Sequence, residues 1–177
     1  MGTWLEIDTH DAPRVALIDA CLEGLDEAEL RTRARAFGAA VGAGEVSRSY
    51  CYPYALIGWH SGPIGVDIER VLACPDEFSQ AIATPAEETS GRWRTDRDLI
   101  SLWSSKEALS KALGDALDYD PRRLESPAGW PGGVCGCWRA AVLPAPDGHC
   151  AWVCWRVSRD QPQSSRRLST PRFCIAR

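Results

Sequence analysis

The chain has 177 residues, near the usual size of one domain, and its 45% apolar and 25% charged residues exclude a disordered or fibrous protein. Its 20 basic and 24 acidic residues give a net charge of −4, so the global basic excess that favours nucleic-acid binding is missing. No apolar run reaches the roughly 18 residues that cross a bilayer, and the N-terminus has no export signal. We therefore expect a cytoplasmic protein with neither a nucleic-acid nor a membrane partner.

The eight cysteines form an even set, which in a secreted mini-protein would predict a disulfide framework. Here they are scattered without a C-x-x-C pair, and the chain has only three histidines, so a zinc site has weak support. Reduced thiols that behave as small apolar side chains are the simpler interpretation.

The first part of the chain combines helical and strand patterns. Apolar periodicity over residues 13–40 predicts one or two helices with a break near Gly24. Residues 54–59 have the composition of a strand, and the turn residues 60–63 lead into a second short apolar run at 64–69. Two such runs joined by Ser-Gly-Pro predict an antiparallel hairpin.

The second part contains the strongest helix pattern, from Asp96 to Gly114, with acids at its start and glycine at its end. Two aromatic-rich strands are predicted at 135–143 and 150–157, joined by a Pro-Asp-Gly turn within 144–148. Residues 158–177 hold five arginines and several serines without periodicity, which predicts a mobile tail.

Two acids within the run at 64–69 point to a metal site. Asp67 and Glu69 are separated by one residue, so on a strand both carboxylates lie on one face, while Val66 and Ile68 lie on the other. Parallel carboxylates repel unless a cation lies between them, and Mg²⁺ prefers such hard oxygen ligands. The alternative is a solvated acidic edge of a strand.

The long helix adds further charged groups. On a helical projection, Leu102, Leu109 and Leu113 share one side and predict the buried face. A different arc, predicted to face outward, carries Trp103, Lys106, Glu107, Ser110 and Lys111. Glu107 and Lys111 could form a plain surface ion pair, but a third carboxylate beside two lysines also suits a metal–pyrophosphate site.

Together, residues 65–69 and 103–114 resemble the two-part signature of the 4′-phosphopantetheinyl transferase superfamily. The intervening residues 84–88, Thr-Pro-Ala-Glu-Glu, are similar to the segment that this family carries between the two halves of the signature. The resemblance covers residues 46–157 and is densest over 62–114.

The resemblance implies roles for five residues. Asp67, Glu69 and Glu107 would be Mg²⁺ ligands, and Lys106 and Lys111 would contact the phosphates of coenzyme A. The implied reaction moves the 4′-phosphopantetheine arm of coenzyme A onto a serine of an apo acyl or peptidyl carrier protein, releasing 3′,5′-ADP. Glu107 is the suggested general base, and Lys111 would stabilise the leaving group or the transition state.

One segment departs from the resembled family. Residues 46–50 occupy the position where members of the surfactin-synthetase activating type have Ser-His-Ser and contact the nucleotide of coenzyme A. Here the central residue is Arg48, whose guanidinium can grip a phosphate in a bidentate manner. Ser47 and Arg48 are therefore candidate coenzyme A contacts, although Arg48 could equally be a solvated residue at a strand end.

The implied fold is α+β, a 4′-phosphopantetheinyl transferase-like arrangement of two small α+β halves about a pseudo-twofold axis, with the first half abbreviated. We assign residues 1–62 to the abbreviated N-terminal half, 63–157 to the C-terminal half and 158–177 to the tail. The cationic clamp of a complete first half could be replaced by three arginines, which could also be a solvated helix face: Arg31, Arg33 and Arg35.

Two other functions stay open. A coenzyme A or nucleotide binding homologue without transferase activity could serve other pathway chemistry. A non-catalytic partner-binding module could use the tryptophans of the C-terminal strands, Trp138, Trp152 and Trp155, although alternating aromatic residues are more typical of a core. The sequence does not specify whether the carrier belongs to fatty acid synthesis or to polyketide or peptide secondary metabolism.

Overall fold

A computed structural model describes residues 12–42, 44–115, 118–157 and 172–176, and these form an α+β fold of two four-stranded sheets and five helices. The strands are β1 (Arg14–Asp19), β2 (Glu45–Cys51), β3 (Tyr54–His60), β4 (Ile64–Arg70), β5 (Val134–Cys135), β6 (Trp138–Leu143), β7 (His149–Arg156) and β8 (Arg172–Ala176). The helices are α1 (Ala20–Glu23), α2 (Glu27–Ala40), α3 (Phe78–Ile82), α4 (Pro85–Ser90) and α5 (Asp96–Leu113). Single 3-10 turns lie at Pro121–Arg123, Pro127–Gly129 and Pro131–Gly133. The predicted α+β class is confirmed.

The first sheet has the order β2-β3-β1-β8 and is covered on one face by α2. β2, β3 and β1 are antiparallel neighbours, whereas β8 lies parallel to β1. Helix α2 starts at a capping box in which Asp26 and Glu29 each accept a hydrogen bond from the other's backbone N–H. Its buried Leu30 and Ala34 pack against the sheet.

The prediction that residues 13–40 are helical is wrong for its first part, because Arg14–Asp19 form strand β1. The Val-Ala-Leu-Ile run is buried between neighbouring strands, and short apolar runs of this length fit a buried strand as well as a helix. The predicted break near Gly24 is confirmed, since Gly24 ends α1 with φ of +68°.

The second sheet has the order β4-β7-β6-β5 with antiparallel pairing throughout, and α5 lies across it. The helix approaches β4 so closely at Gly65 that a Cβ there would overlap the carbonyl oxygen of Ala108 and lie 2.7 Å from Ala112 N. Glycine at this position therefore lets the strand and the helix meet.

The predicted hairpin of residues 54–59 and 64–69 is wrong, because β3 and β4 belong to different sheets. β4 pairs with β7, and the two sheets face each other across a shared core. This core contains Val15, Leu17, Leu56, Val66, Ile68, Val153 and Trp155. A short connection between two apolar runs thus joins two layers here, because both runs have a face to bury between the sheets.

The predicted hairpin in the C-terminal part is confirmed, with β6 and β7 antiparallel and joined by residues 144–148. Trp155 is buried between the sheets, while Trp138 and Trp152 are half-buried against the face that packs on α5. The tryptophans thus contribute to packing, as the alternating pattern favoured.

Three further observations concern the C-terminal segment, the helices and the cysteines. Of the predicted tail, residues 158–171 and 177 lie outside the described residues, and Arg172–Ala176 form strand β8. In the described ranges, none of the helices combines the length and the apolar character that a membrane crossing requires. Seven cysteines are free thiols: Cys21, Cys51, Cys74, Cys135, Cys137, Cys150 and Cys154.

Candidate functional site

The site begins where the open edges of the two sheets meet. β2 ends the first sheet and β4 ends the second, and two buried serines of β2 hydrogen-bond across to β4. Ser47 Oγ accepts from Val66 N at 3.0 Å, and Ser49 Oγ accepts from Ile68 N at 3.3 Å. Hydroxyls thus satisfy backbone donors that a further strand would otherwise bind. This contact fixes the position of β4 and of its carboxylates.

Helix α5 supplies the opposite wall of the site. It starts at Thr95, whose side chain caps the N-terminus, and ends at Gly114 with φ of +89°. The predicted buried face is confirmed for Leu102 and Leu109 but not for Leu113, which is 42% exposed. The arc that was predicted to face outward is partly enclosed, because Lys106 and Ser110 are buried. The helix lies between β4 and the segment after Gly114, so it buries more than one side.

Asp67 is the most enclosed carboxylate of the site. Its Oδ1 accepts hydrogen bonds from Lys111 Nζ at 2.7 Å and from Ser49 Oγ at 2.9 Å. Its Oδ2 is buried and has no hydrogen-bond partner among the described residues. A buried carboxylate oxygen without a hydrogen-bond donor is unfavourable, so this atom is suited to bind a cation.

Glu69 lies on the same face of β4 as Asp67, as the strand periodicity predicted. Its Oε1 accepts a hydrogen bond from Trp103 Nε1 at 3.3 Å. Burial, together with the negative charges of Asp67 and Glu107, raises the pKa of Glu69 to about 7. A carboxyl with this pKa gives up its proton readily when a cation arrives nearby.

Glu107 lies on α5 and interacts electrostatically with Asp67. Burial, and secondarily the charge of Asp67, raises the pKa of this carboxyl. Its Oε1 accepts a 2.7 Å hydrogen bond from the hydroxyl of Tyr119, and Lys111 is bonded to Asp67 instead. The interpretation of Glu107 and Lys111 as a plain surface ion pair is therefore wrong.

The carboxylates present suit a magnesium ion chemically. All three supply hard oxygen, and the unpartnered Oδ2 of Asp67 is available for a ligand bond. The charge of Asp67 contributes to the raised pKa values of both Glu69 and Glu107, which places the three carboxylates in one electrostatic cluster. Within the described ranges, however, no three acidic, histidine or cysteine side chains are arranged closely enough to hold an ion. In this arrangement Lys111 forms an ion pair with Asp67.

Lys111 retains capacity for a further ligand. Its ammonium donates to Asp67 Oδ1 and, at 3.2 Å, to Val66 O, which uses two of its three N–H groups. The side chain is 21% exposed. In the part of the chain that the structure describes, the third N–H of this partly exposed cation has no acceptor, so it is available for an anionic group such as a phosphate.

Lys106 lies apart from this cluster and is bound by other partners, so its predicted contact with a phosphate of coenzyme A stays a prediction. Its side chain is 0% exposed, and Nζ donates to Ile82 O at 2.6 Å, Glu87 Oε2 at 2.6 Å and Pro121 O at 2.8 Å. Three acceptors use all three donors of an ammonium group. Burial lowers the pKa of Lys106, while the adjacent carboxylate of Glu87 opposes this shift. Lys106 therefore ties α5 to α3, α4 and the 3-10 turn at Pro121–Arg123.

Ser47 and Arg48, the two residues of β2 that were predicted to contact coenzyme A, lie on opposite faces of the strand. Ser47 faces β4, as described above. Arg48 points the other way, onto α2, where a Cβ at Gly38 would overlap its guanidinium. Its Nε is buried and unpartnered among the described residues. The structure thus places Ser47 near Asp67 but separates Arg48 from it.

The arginines of α2 are occupied locally. Arg31 forms an ion pair with Glu27 at 2.9 Å and lies over the ring of Tyr50, and Arg33 forms an ion pair with Glu23 at 3.1 Å. These contacts match the alternative interpretation of a charged helix face.

Three residues that contribute to the site escaped prediction. Ser49 bonds Asp67 from the other sheet, and the only sequence signal was its place in the Ser-Arg-Ser stretch. Glu87 lies in the Thr-Pro-Ala-Glu-Glu segment, but its pairing with Lys106 is a tertiary contact. Tyr119 follows the helix in a segment without periodicity, so no pattern identified it.

Comparison with known families agrees with part of this picture. Residues 63–132 match the family model of the 4′-phosphopantetheinyl transferase superfamily. The matched range contains β4, α3 to α5 and the segment that carries Tyr119, and therefore all three carboxylates. No curated protein matches the chain significantly.

Proposed function

We propose that this protein is a magnesium-dependent 4′-phosphopantetheinyl transferase that modifies a serine of an acyl or peptidyl carrier protein and releases 3′,5′-ADP. The family match supports phosphopantetheinyl transfer in general. The observation that carries the proposal is the cluster of Asp67, Glu69 and Glu107 around Lys111, because it joins acidic ligands to a cation with a free donor. A pyrophosphate substrate with its metal needs both.

Magnesium is the cation proposed for Asp67, Glu69 and Glu107, whose carboxylates would have to move closer together to hold it, since no three such side chains are close enough among the described residues. When bound, it supplies Lewis acidity and charge neutralisation to the pyrophosphate of coenzyme A. The unpartnered Oδ2 of Asp67 supports this assignment.

The proposed step is an attack of the carrier serine hydroxyl oxygen on the β-phosphorus of coenzyme A. A new P–O bond forms to the serine, the bond from the β-phosphorus to the bridging oxygen breaks, and 3′,5′-ADP leaves with that oxygen. Glu107 would accept the serine proton, and its raised pKa suits a general base. Lys111 would donate its remaining N–H to the phosphate oxygens that gain charge.

The two sheets support a proposed division into two α+β halves. The first contains residues 12–60 together with strand β8, and the second contains residues 64–156, with the serine contacts of β2 joining them. In this arrangement Ser47 and Ser49 bring the abbreviated first half to the metal strand of the second.

The test is an assay with coenzyme A, Mg²⁺ and a panel of apo carrier proteins, followed by intact-mass spectrometry. We expect the mass gain of one phosphopantetheine arm on at least one carrier. Because Asp67→Ala removes the central carboxylate, it should abolish the gain, while Asp76→Ala removes a carboxylate from the loop before α3 and serves as the control. No mass gain on any carrier, with Asp67→Ala equal to the parent in coenzyme A binding, would contradict the proposal.

A coenzyme A binding protein without transfer activity is the second candidate. One observation favours it: Lys106 and Arg48, two predicted phosphate contacts, are directed away from Asp67. Calorimetry with coenzyme A and Mg²⁺ separates the two functions, since tight magnesium-dependent binding without carrier modification would support this candidate instead.

A further inference from the structure

The segment after α5 contributes a side chain to the carboxylate cluster. Tyr119 is half-buried, and its hydroxyl donates to Glu107 Oε1 at 2.7 Å, within the range of a short charge-assisted bond. The hydroxyl also interacts with the side chain of Ser110, one turn along the helix from Glu107. The tyrosine therefore lies against α5 at the position of the site.

A glutamate on a helix has three side-chain torsions, so its carboxylate is not placed by the backbone alone. The bond from Tyr119 fixes Oε1 of Glu107 and leaves Oε2 for another partner. Since the charge of Asp67 contributes to the raised pKa of Glu107, the carboxylate held in this way is electrostatically coupled to Asp67.

The backbone that carries Tyr119 is itself anchored to α5. Lys106 donates to Pro121 O at 2.8 Å, and its charge is balanced by Glu87 at 2.6 Å. Asp120 accepts a hydrogen bond from Arg122 N and caps the 3-10 turn that begins at Pro121. Lys106 and Glu107 are adjacent on α5. Lys106 donates to the segment at Pro121 O, and Glu107 accepts the hydrogen bond from Tyr119.

We propose that Tyr119 is a positioning residue for Glu107, and that Lys106 with Glu87 holds the segment 119–121 so that the tyrosine reaches this carboxylate. The inference rests on the proposed function, because it assigns Glu107 to the magnesium and proton-transfer site. It gives the buried lysine of the signature a role that requires no contact with coenzyme A.

The test is Tyr119→Phe, which removes the hydroxyl and keeps the ring. Losing the partner that orients a metal ligand typically weakens metal affinity or activity by about 10- to 100-fold. We expect Mg²⁺ affinity, followed by tryptophan fluorescence with and without coenzyme A, to fall about tenfold. The kcat for transfer should fall while KM for coenzyme A stays unchanged. Tyr52→Phe, which removes a hydroxyl that bonds Leu25 O far along the chain, is the matched control.

A double variant tests the anchor. Glu87→Gln with Lys106→Met removes both charges together, which avoids leaving one of them buried alone. It should lower Mg²⁺ affinity in the parent background but cause no additional loss in Tyr119→Phe, because both changes act on the same carboxylate. Circular dichroism and thermal unfolding establish that each variant is folded.

The outcomes separate this inference from the proposed function. A parent protein that modifies a carrier, with Tyr119→Phe equal to it in Mg²⁺ affinity and kcat, would overturn the positioning role alone. A parent without transferase activity, with Mg²⁺ binding weakened by Tyr119→Phe, would overturn the proposed function and support the positioning role. Additive losses in the double-variant experiment would overturn the anchoring role of Lys106.

Discussion

Lys111 Nζ donates to Asp67 Oδ1 at 2.7 Å and thereby joins the helix of the site to its strand. The charge of Lys111 also opposes the rise in the pKa values of Glu69 and Glu107 that burial causes. This electrostatic coupling governs how substitutions of these residues should behave.

Asp67→Asn should separate function from stability. The substitution removes the central carboxylate, so transfer should fall by at least about a hundredfold, beyond the loss typical of outer-shell partners. It breaks the ion pair with Lys111 but also removes repulsion with Glu69 and Glu107. Because these two effects oppose each other, the melting temperature of the metal-free protein should stay within about 4 °C of the parent, corresponding to roughly 1 kcal/mol. Carrier-modification assays and thermal unfolding measure the two effects. A cooperative loss of folding would contradict this expectation.

The two lysines of the helix should respond in opposite ways. Lys106→Met leaves Glu87, whose side chain is 12% exposed, without its ammonium partner, while Thr84 N and Ser126 N still donate to it. The free energy of unfolding should therefore fall by about 3 kcal/mol, the lower end of the cost of breaking a buried ion pair. Lys111→Met affects a side chain that is 21% exposed, so we expect a smaller loss of stability and a large fall in kcat. Urea unfolding and steady-state kinetics on the matched pair test this. Equal destabilisation by both changes would show that Lys111 is also structural.

Gly65→Ala should disturb the site through the backbone. Its Cβ would overlap Ala108 O, so β4 and α5 must move apart, at a typical overpacking cost of about 1–3 kcal/mol. The shift also separates Asp67 from Lys111, which should reduce transfer. Gly62→Ala is the control, because its nearest neighbour would lie at 3.6 Å, an ordinary contact. Unfolding free energies for the two variants that agree within error would refute the close-approach argument.

The pKa of Glu69 predicts a pH dependence for the metal-free protein. Folding raises this pKa from 4.5 to about 7, so between these values the folded state binds more protons than the unfolded state. Stability should therefore fall as pH rises from 5 through 7, and the raised pKa of Glu107 acts in the same direction. Melting temperatures without Mg²⁺ from pH 5 to 8 measure the effect.

Glu69→Gln is the control for this dependence, because an uncharged amide stays neutral throughout the range. Its melting temperature should vary less with pH than that of the parent. Identical pH profiles for the two proteins would exclude Glu69 as the source.

Local sequence patterns predicted the elements that carry the candidate site. The i, i+2 spacing of Asp67 and Glu69 predicted a shared face of a strand, and the caps around α5 predicted its limits. The neighbours of Lys106 and Arg48 were not predicted, because charge at a given spacing identifies a cation but not its partners. Glu87 and Gly38, the residues that receive them, lie on other elements.

The pairing of strands was predicted less well from the sequence. The hairpin of β6 and β7 was predicted from a Pro-Asp-Gly turn between two aromatic runs, and it formed. The same reasoning failed for β3 and β4, since a tight connection can also pass between layers when each strand has an apolar face to bury. Residues 14–19 were assigned to a helix because four apolar residues in succession fit either structure.

By itself the sequence determined the strand spacing of Asp67 and Glu69, the helix that carries Glu107 and Lys111, and the resemblance to the 4′-phosphopantetheinyl transferase superfamily. These follow from spacing along single elements, where backbone geometry fixes which side chains share a face. Only the tertiary structure decided that Lys111 faces Asp67 while Lys106 is enclosed, and that Ser49 and Tyr119 complete the site. Those contacts join residues far apart in the chain, and they depend on how two sheets and a helix pack rather than on any local pattern.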